Sequence, residues 1–440
     1  MTDQSPQRSS VYTNPSFLGM VATQFLGAFN DNVFKQTVML VLAVSAMGNQ
    51  EDDLQGQATV IFSAPFILLS GFCGYLGDRH SKRTIVVLSK VLEIVVMGLG
   101  MLAFLSGSAA AMLIVLGLMG SQSALFGPAK YGILPELFPD RDLPRVNGVI
   151  LMTTFLSIIL GFTAAGFLAG QIEGKLWIAS VACIGIAVLG TLTALMIRRT
   201  PVAHPHMPFD KSVLLISRET RQVLRSDRKL LAALLASSMF WMAGGMVYPP
   251  AINKLGIDQF EFDEAQTGMM AASTGIGIAI GCLIAGGLSR NRFHGSLVFG
   301  GCLGMFVSLI LLGIPTSAKH HSLLGPAGSS VMLIILGISA GLFTVPLQAY
   351  LQARTPREHK GRVIGAMNLL NWIGIASAGG VYIVVNLLFA QWNKAFPEWT
   401  IPPSAMFLAA ACVLLPLLVL YHPKSEDFSD VAPASARNPD

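Results

Sequence analysis

The chain has 440 residues, of which 53% are hydrophobic and only 12% are charged, and its formal net charge is +5. A soluble protein of this length needs more charge to cover its surface, so the composition excludes an ordinary soluble domain. The basic residues lie in short loops between apolar segments, and we therefore expect no nucleic-acid partner.

Apolar segments of about twenty residues recur along almost the whole chain, and each could cross the hydrocarbon core of a bilayer as a helix. They lack the alternation of barrel strands, so we predict an all-α membrane protein with twelve transmembrane helices. The first six occupy residues 17–46, 57–77, 84–106, 109–134, 146–170 and 177–197. The second six occupy residues 230–255, 265–288, 296–316, 329–352, 361–388 and 403–421.

One long polar segment separates the two sets of six helices. The predicted domains are a cytoplasmic tail (1–16), an N-terminal six-helix bundle (17–197), a cytoplasmic linker (198–229), a C-terminal six-helix bundle (230–421) and a second cytoplasmic tail (422–440). Two such bundles are typical of transporters that rock one half against the other around a site near the middle of the membrane.

The two halves also repeat weakly in sequence. A shift of 217 residues aligns eight identical residues, among them Gly120 with Gly337 and Arg145 with Arg362. The repeat indicates that the two six-helix bundles are pseudo-symmetric.

Lysine and arginine are distributed unevenly between the two sides of the predicted helices. With both termini in the cytoplasm, 22 of the 29 basic residues lie in cytoplasmic loops and tails. The outer loops contain only Lys175, Lys254, Lys319 and Lys394. Because cytoplasmic loops are enriched in basic residues, we expect cytoplasmic termini. The polar N-terminal segment has no short apolar core, so we expect no cleaved signal peptide.

Cysteine and histidine give no sign of a metal or cofactor site. All five cysteines lie in apolar segments, where they behave as small hydrophobic residues: Cys73, Cys183, Cys282, Cys302 and Cys412. The histidines His204, His206, His320 and His321 lack a third ligand at useful spacing. Glycine-rich phosphate and dinucleotide loops are missing as well. We therefore predict no cofactor and no metal.

The loop between predicted helices 2 and 3 reads GYLGDRHSKRTIV (74–86). It resembles the G-x-L-a-D-R-x-G-R-K signature of the major facilitator superfamily, with Ser81 in place of the second glycine. The matching positions are Gly74, Leu76, Asp78, Arg79, Lys82 and Arg83. As a gate, Asp78 could pair with a basic group or a helix terminus of the other half. The alternative interpretation is an ordinary basic loop. The second half has Arg290 where the acid would stand, so any charge gate is asymmetric.

Five ionisable residues are predicted to lie at membrane depth within these helices: Asp31, Lys35, Lys90, Glu93 and Lys130. Each would cost roughly 2.5–3.5 kcal/mol at the centre of a membrane helix, so they must form pairs or face water. Asp31 and Lys35 are four residues apart on one helix face and could neutralise each other. Asn30 and Asn32 flank Asp31, however, and this polar patch favours a functional role for the acid.

The other charged positions leave alternatives open. Lys90 and Glu93 share a helix face and are predicted to form a local structural pair. Lys130 follows Pro128, which is expected to kink the helix and free carbonyl groups beside a fixed ammonium. That arrangement would suit an anion, whereas the alternative is a lysine that reaches the membrane surface.

The second half offers polar but neutral residues in its helices, namely Tyr248, Gln348, Gln352, Asn368, Asn371 and Trp372. A cavity that is charged on one wall and neutral on the other suits an amphiphile better than a small dianion.

Three stretches resemble one family more closely: FNDNVFK (29–35), FGPAKYGILPEL (126–137) and FTVPLQAYLQAR (343–354). They are similar to the bacterial lysophospholipid transporters, and equally to the transporter half of proteins fused to an acyl–acyl carrier protein synthetase and acyltransferase. The resemblance implies that the chain moves lysophospholipids, chiefly lysophosphatidylethanolamine, across the bacterial cytoplasmic (inner) membrane by alternating access. It also implies a partner acyltransferase that re-acylates the lipid.

The same resemblance assigns roles to individual residues. The family's intramembrane acid matches Asp31 and its helix-4 lysine matches Lys130. Its helix-7 arginine falls at Tyr248, so Lys130, Lys35 or both would hold the phosphate. A zwitterionic head group could then be held by charge-assisted hydrogen bonds in a cavity of low dielectric constant. The predicted substrate-binding residues are Asp31, Lys35, Lys130, Asn30, Asn32 and Tyr248.

Two other functions compete with lysophospholipid transport. A proton-coupled carrier or exporter of a soluble organic solute or drug would use a titrating carboxylate such as Asp31 or Glu93, and a protonophore would abolish its activity. An acyltransferase would need an H-x-x-x-x-D motif, which occurs once, at His422 and Asp427, in the C-terminal tail. We interpret that match as chance and predict a transporter rather than an enzyme.

Overall fold

The computed structural model describes residues 11–49, 55–171, 177–202, 204–207, 209, 216–289, 292–314 and 323–428. The predicted tails before residue 11 and after residue 428 lie outside the described residues. So do Lys175, Arg290, Lys319, His320 and His321.

Thirteen α-helices are present in these ranges. They are α1 (Pro15–Asn49), α2 (Gln55–Arg79), α3 (Lys82–Ser106), α4 (Ala109–Leu137), α5 (Leu143–Gln171), α6 (Trp177–Leu195), α7 (Arg218–Ser226), α8 (Arg228–Met246), α9 (Glu264–Leu288), α10 (Gly295–Gly313), α11 (Gly325–Arg354), α12 (Lys360–Ala395) and α13 (Met406–Leu420). A short antiparallel ribbon pairs β1 (Arg292–Phe293) with β2 (Glu426–Asp427).

Twelve of these helices span the membrane. Within the described ranges, eleven helices are both long enough and apolar enough to cross a bilayer. The twelfth is α1, which has 35 residues and carries Asp31 and Lys35. The remaining helix, α7, has nine residues and lies in the linker. The predicted fold class of twelve transmembrane helices is therefore confirmed.

The two faces of α3 show how such a helix is placed. Leu88, Val95 and Leu102 recur every seven residues and are exposed. The opposite face buries Lys90 and Glu93. Because every seventh residue of a helix returns to nearly the same face, the apolar face meets lipid and the charged face points into the protein.

The seventh predicted span differs from its expected form. We predicted one helix over 230–255, whereas α8 ends at Met246 and continues as two wider, π-type helical segments, Val247–Ala251 and Lys254–Gln259. Tyr248 leaves helical geometry altogether, with φ −114° and ψ 117°. Pro249 and Pro250 follow directly. The residue before a proline is pushed out of the α region, which explains the break at Tyr248.

The sequence repeat corresponds to equivalent helix contacts in the two halves. Gly120 on α4 packs against the backbone carbonyl of Phe62 on α2. Its counterpart Gly337 on α11 packs against the backbone of α9 at Thr274 and Ile278. A side chain at either glycine would collide with this backbone, and small residues let membrane helices approach closely. The repeat therefore preserves a packing contact in each half.

One end of the bundle carries the linker, and we call it the linker end. Arg198, just beyond α6, donates its backbone N–H to Ser16 at the start of α1 (3.1 Å) and a guanidinium N–H to the carbonyl of Glu136 near the end of α4 (3.0 Å). In the second half Asp227, directly after α7, pairs with Arg354 at the end of α11 (2.6 Å).

The C-terminal segment after α13 folds back onto the same end. Glu426 pairs with Lys229 at the start of α8, and Asp427 pairs with Arg292 (3.5 Å). The ring of His422 packs on Phe299. The histidine and the aspartate of the H-x-x-x-x-D match therefore make separate contacts.

Candidate functional site

A cavity of about 330 Å³ lies between the two halves. Residues from the first half that line it include Asp31, Asn32, Lys35, Lys90, Ser123 and Lys130. Residues from the second half that line it include Trp241, Thr344, Gln348, Asn368, Asn371 and Trp372. The first half thus contributes charged groups and the second half contributes neutral ones.

Asp31 faces this cavity and is held by α4. One carboxylate oxygen, Oδ2, accepts a hydrogen bond from the hydroxyl of Ser123 (2.5 Å). The other oxygen, Oδ1, has no hydrogen-bond partner among the described residues. Lys35 forms no ion pair with Asp31 among the described residues, and its ammonium lies 4.9 Å from the ring centroid of Phe62. Asp31 therefore lines the cavity with one carboxylate oxygen left without a partner among the described residues.

Lys90 and Glu93 form a buried ion pair on α3, and each is 1% exposed. Asn30 on α1 completes the cluster by donating its side-chain amide to Glu93 (2.6 Å). The Lys90 ammonium also lies 4.9 Å from the ring centroid of Phe126 and borders the cavity. A side chain at Gly27 on α1 would occupy the position of this ammonium, so the glycine lets Lys90 reach the cavity.

Lys130 lies about two turns further along α4 than Ser123, and its ammonium is 4.4 Å from the ring centroid of Tyr131. It is 8% exposed and forms no ion pair with any described residue. The structure describes α4 as one continuous helix through Pro128. Lys130 borders the cavity, so its charge is directed between the two halves.

The other predicted residues separate into three groups. Asn32 lines the cavity, where its amide donates to the carbonyl of Ala28 (2.7 Å). Asn30 lies behind the wall, bonded to Glu93. Tyr248 lines a second, neighbouring cavity, because the break after α8 turns this residue away from the charged groups.

That second cavity has a volume of about 230 Å³ and an almost wholly apolar lining. Phe155, Phe240, Met305, Leu309, Leu336 and Leu414 contribute to its wall. Ile158, Trp241 and Ile375 line both cavities, so the two adjoin along these three side chains. The charged cavity thus continues into an apolar one that lies mainly in the second half.

The inner wall contains residues that sequence reasoning missed. Gln24 lies seven residues before Asp31 and therefore shares its helix face. Its amide donates to the hydroxyl of Thr154 on α5 (2.9 Å). Ser123, the partner of Asp31, was also missed. The spacing of Gln24 from Asp31 was a usable signal, whereas nothing in the sequence indicated which hydroxyl Asp31 would meet.

The linker end of the cavity is closed by contacts between the halves. Asn147 on α5 and Gln352 on α11 are fully buried and exchange two amide hydrogen bonds (2.7 and 3.2 Å). Gln352 also donates to the backbone carbonyl of Tyr131 (3.2 Å). These contacts of Asn147, Gln352 and Tyr131 close the cavity at the linker end, and we call them the floor of the cavity.

Asp78 makes a second contact between the halves at this end. It is fully buried and accepts from the backbone N–H groups of Gly361 (2.6 Å) and Arg362 (3.1 Å), and from Nε of Arg362 (3.0 Å). These backbone groups form the N-terminus of α12, where the helix dipole favours a negative charge. Gly74 permits the approach, since a Cβ there would lie 2.8 Å from the carbonyl oxygen of Gly361.

The other residues of the loop signature bind within the first half. Lys82 pairs with Glu136 on α4. Arg79 donates to the hydroxyl of Tyr75 (2.5 Å), and Arg83 donates to the backbone carbonyl of Ile197 (3.2 Å). Of the five predicted gating residues, Gly74 and Asp78 therefore contact the second half, and the three basic residues brace the first half.

Comparison with known proteins places this architecture in a family. The family model of the Major Facilitator Superfamily matches residues 16–379. The chain belongs to the major facilitator superfamily. The solved transporter FucP, in its outward conformation, has a TM-score of 0.72 at 11% identity and covers 93% of this chain and 98% of its own. The human organic anion transporter MFSD10 has a TM-score of 0.69 at 19% identity, with coverages of 90% and 97%.

Curated relatives within this superfamily are more similar in sequence. The lysophospholipid transporter LplT of Enterobacter sp. (strain 638) is 29% identical over 376 residues, which cover 82% of this chain and 88% of the relative. LplT of Pectobacterium carotovorum subsp. carotovorum (strain PC1) is 27% identical over 401 residues, which cover 87% and 88%. The similarity therefore extends over both halves of the transporter.

Proposed function

We propose that this protein moves lysophospholipids, chiefly lysophosphatidylethanolamine, across the bacterial cytoplasmic membrane by alternating access. The relatives that it resembles over most of its length are named as lysophospholipid transporters. The transported lipid would be re-acylated by a separate acyltransferase. We place the linker end on the cytoplasmic side of the membrane, because the distribution of basic residues predicts that orientation.

The observation that carries the proposal is the pair of adjoining cavities. One has unpaired charges at Asp31 and Lys130, and the other is apolar and of similar size. A lysophospholipid has one charged head group and one acyl chain, so its two parts match the two cavities. A small polar solute would leave the apolar cavity unused.

The spacing of the charges suits a zwitterionic head group. Ser123, which holds Asp31, and Lys130 are seven residues apart on α4. Seven residues of helix rise about 10 Å and return to nearly the same face. An ammonium at Asp31 and a phosphate at Lys130 would each form a charge-assisted hydrogen bond within that span. Lys35 and Lys90 lie on the same wall and add positive charge.

The closed linker end supports the alternating-access part of the proposal. Asp78 joins α2 to α12 and Asn147 joins α5 to α11, so the halves meet beneath the cavity. For the lipid to reach the cytoplasmic side, these contacts must break while the opposite end closes. The hydrogen bonds in these contacts join polar side chains to backbone groups or to other side chains. Such bonds can break and form again in each transport cycle.

The test is uptake of head-group-labelled lysophosphatidylethanolamine by proteoliposomes that contain the purified protein. We expect uptake well above that of protein-free liposomes, insensitivity to a protonophore, and no uptake of diacyl phosphatidylethanolamine. A matched sample with the variant Gln222→Leu, at an exposed position on α7, controls for reconstitution.

Two results would overturn the proposal. Absence of lysophospholipid uptake in well-reconstituted samples would remove the substrate assignment. Uptake that a protonophore abolishes would instead favour a proton-coupled carrier.

A further inference from the structure

Two side chains of α11 that line the charged cavity carry polar groups without a hydrogen-bond partner among the described residues. Gln348 is 7% exposed, and its amide nitrogen Nε2 has no hydrogen-bond partner among the described residues. The hydroxyl of Thr344 is likewise buried without a partner there. The two residues are four apart, so they lie on one face of the helix, and both line the cavity.

Thr344 differs from Thr154, the threonine that lines the same cavity from α5. Threonine in a helix commonly bonds back to its own backbone, as Thr154 does to the carbonyl of Ile150 (2.7 Å). Thr344 makes no such bond, so its hydroxyl remains available. Buried polar groups without a partner are rare in folded proteins, and binding sites are where they are expected.

The opposite wall has unpartnered groups of the complementary kind. The Thr154 hydroxyl donates its proton to Ile150 and can only accept from Gln24, which fixes the orientation of the Gln24 amide. Gln24 therefore points its carbonyl oxygen away from Thr154, and this oxygen has no partner in the part of the chain that the structure describes. With Oδ1 of Asp31, α1 presents two free acceptors, whereas α11 presents free donors.

The position of Gln348 places it beside the floor, close to Lys130. Gln352, one helical turn further along α11, donates to the backbone carbonyl of Tyr131, the residue next to Lys130. One turn of helix rises about 5.4 Å. Gln348 thus lies about one helical turn from Gln352, which contacts the segment that carries Lys130.

We infer that Gln348 and Thr344 are phosphate-binding residues contributed by the second half, which face Lys130 of the first half across the cavity. The inference rests on the proposed function and deepens it. The phosphate accepts hydrogen bonds from both halves, while the ammonium or alcohol of the head group meets the acceptors on α1. Substrate selection then depends on the phosphate, which both halves of the protein bind.

The test is a binding measurement on the full-length protein in detergent with three ligands of equal chain length. The ligands are lysophosphatidylethanolamine, lysophosphatidylglycerol and the corresponding monoacylglycerol, which has no phosphate. The variants are Gln348→Leu and Thr344→Val, and Thr344→Val keeps the shape of the side chain. Gln391→Leu, at an exposed position on α12, is the matched control. Melting temperatures establish that each variant is folded.

We expect Gln348→Leu to weaken binding of both lysophospholipids about tenfold, because a hydrogen bond to a charged group is lost. Thr344→Val should weaken both about threefold, and monoacylglycerol binding should be unchanged in each variant. Equal binding of both lysophospholipids by wild type and both folded variants would overturn the inference while leaving the proposed function intact. Failure of the wild-type protein to bind either lysophospholipid would instead remove the proposed function itself.

Discussion

The two halves of this transporter share a fold and a weak sequence repeat, yet their inner walls differ in charge. The first half places Asp31, Lys35, Lys90 and Lys130 along the central cavity. The second half offers neutral polar groups such as Gln348 and Asn368, and it forms most of the adjoining apolar cavity. Pseudo-symmetry thus preserves helix packing, while the charged side chains concentrate in the first half and the apolar lining in the second.

The largest effect on this contrast is expected from breaking the ion pair of the first half. Lys90→Met would leave the Glu93 carboxylate buried without its counter-charge, which should lower the free energy of unfolding by about 3–5 kcal/mol. The double variant Lys90→Met with Glu93→Gln should recover most of that loss, because no charge then remains unpaired. Unfolding of the purified protein by titration with a denaturing detergent measures both. Equal stability of the single and double variants would show that the pair does not hold the first half together.

Asp31→Asn sharpens the contrast in function. The variant keeps the shape of the side chain and its contact with Ser123 but removes the charge. Uptake of lysophosphatidylethanolamine should fall about 100-fold, since a charge-assisted bond is worth up to about 3 kcal/mol. Asn371→Leu, in the second half, removes a buried polar group that bonds Ser237 (3.1 Å) and should reduce uptake far less. Similar losses in the two variants would contradict the asymmetry.

Asp78→Asn tests the contact that joins the halves at the linker end. An amide in place of the carboxylate loses charge-assisted bonds to the start of α12, so the closed arrangement should become less populated. Spin labels at His80 and Glu358 report the separation of the two halves. The ratio of long to short distances should rise about tenfold. An unchanged distance distribution would mean that Asp78 does not hold this end closed.

A smaller effect is expected from filling the apolar cavity. Ala340→Leu adds side-chain volume to its wall and should shorten the acyl chain that fits. The uptake ratio of an eighteen-carbon to a twelve-carbon lysophospholipid should fall about threefold, which corresponds to less than 1 kcal/mol. Ala376→Leu, exposed on the outer face of α12, is the control. A chain-length preference equal to that of wild type would indicate that the acyl chain lies elsewhere.

The smallest effect concerns pH at the linker end. His359 lies in the turn Arg357–His359, before α12, and its Nδ1 is 2.7 Å from Nη2 of Arg362. Because the guanidinium can only donate, this histidine is neutral in the closed arrangement. Burial, and then the charge of Arg362, hold the pKa of His359 below its ordinary value; Asp78, Glu219 and Glu358 oppose this shift.

A lowered histidine pKa means that the closed arrangement binds fewer protons than the open one. Its stability is therefore full above pH of about 6.5 and falls as the pH drops below that value. The distances between spin labels at His80 and Glu358 should lengthen modestly between pH 7.5 and 5.5. The variant His359→Gln should abolish the histidine-dependent part of this change. The same pH response in wild type and variant would assign it to another group.

Much of the fold could be predicted from the sequence, because membrane helices can be recognised by their length and hydropathy. The broken segment after α8 did not, although Pro249 and Pro250 were visible. A hydropathy pattern is blind to backbone geometry, so the run 230–255 looked like one helix. Tyr248 lines the adjoining apolar cavity and not the charged one, and this placement depends on that break.

The site was less accessible to sequence reasoning because its contacts join distant parts of the chain. The helix spacing predicted the Lys90–Glu93 pair, and the structure forms it. The reach of Lys90 into the cavity depends on Gly27 of another helix, and Gln352 belongs to the floor because Asn147 meets it from α5. Such pairings are set by helix packing, which a single sequence does not display.

The most direct test of the division between the halves uses lysophosphatidylethanolamine with a photoreactive group at the end of its acyl chain. After irradiation of the purified protein, mass spectrometry identifies the labelled residues. Labels are expected on the apolar cavity, at Phe240, Leu336 or Leu414, and unlabelled lipid should compete with the labelling. Labels concentrated on Asp31, Lys35 or Ser123 would contradict this expectation.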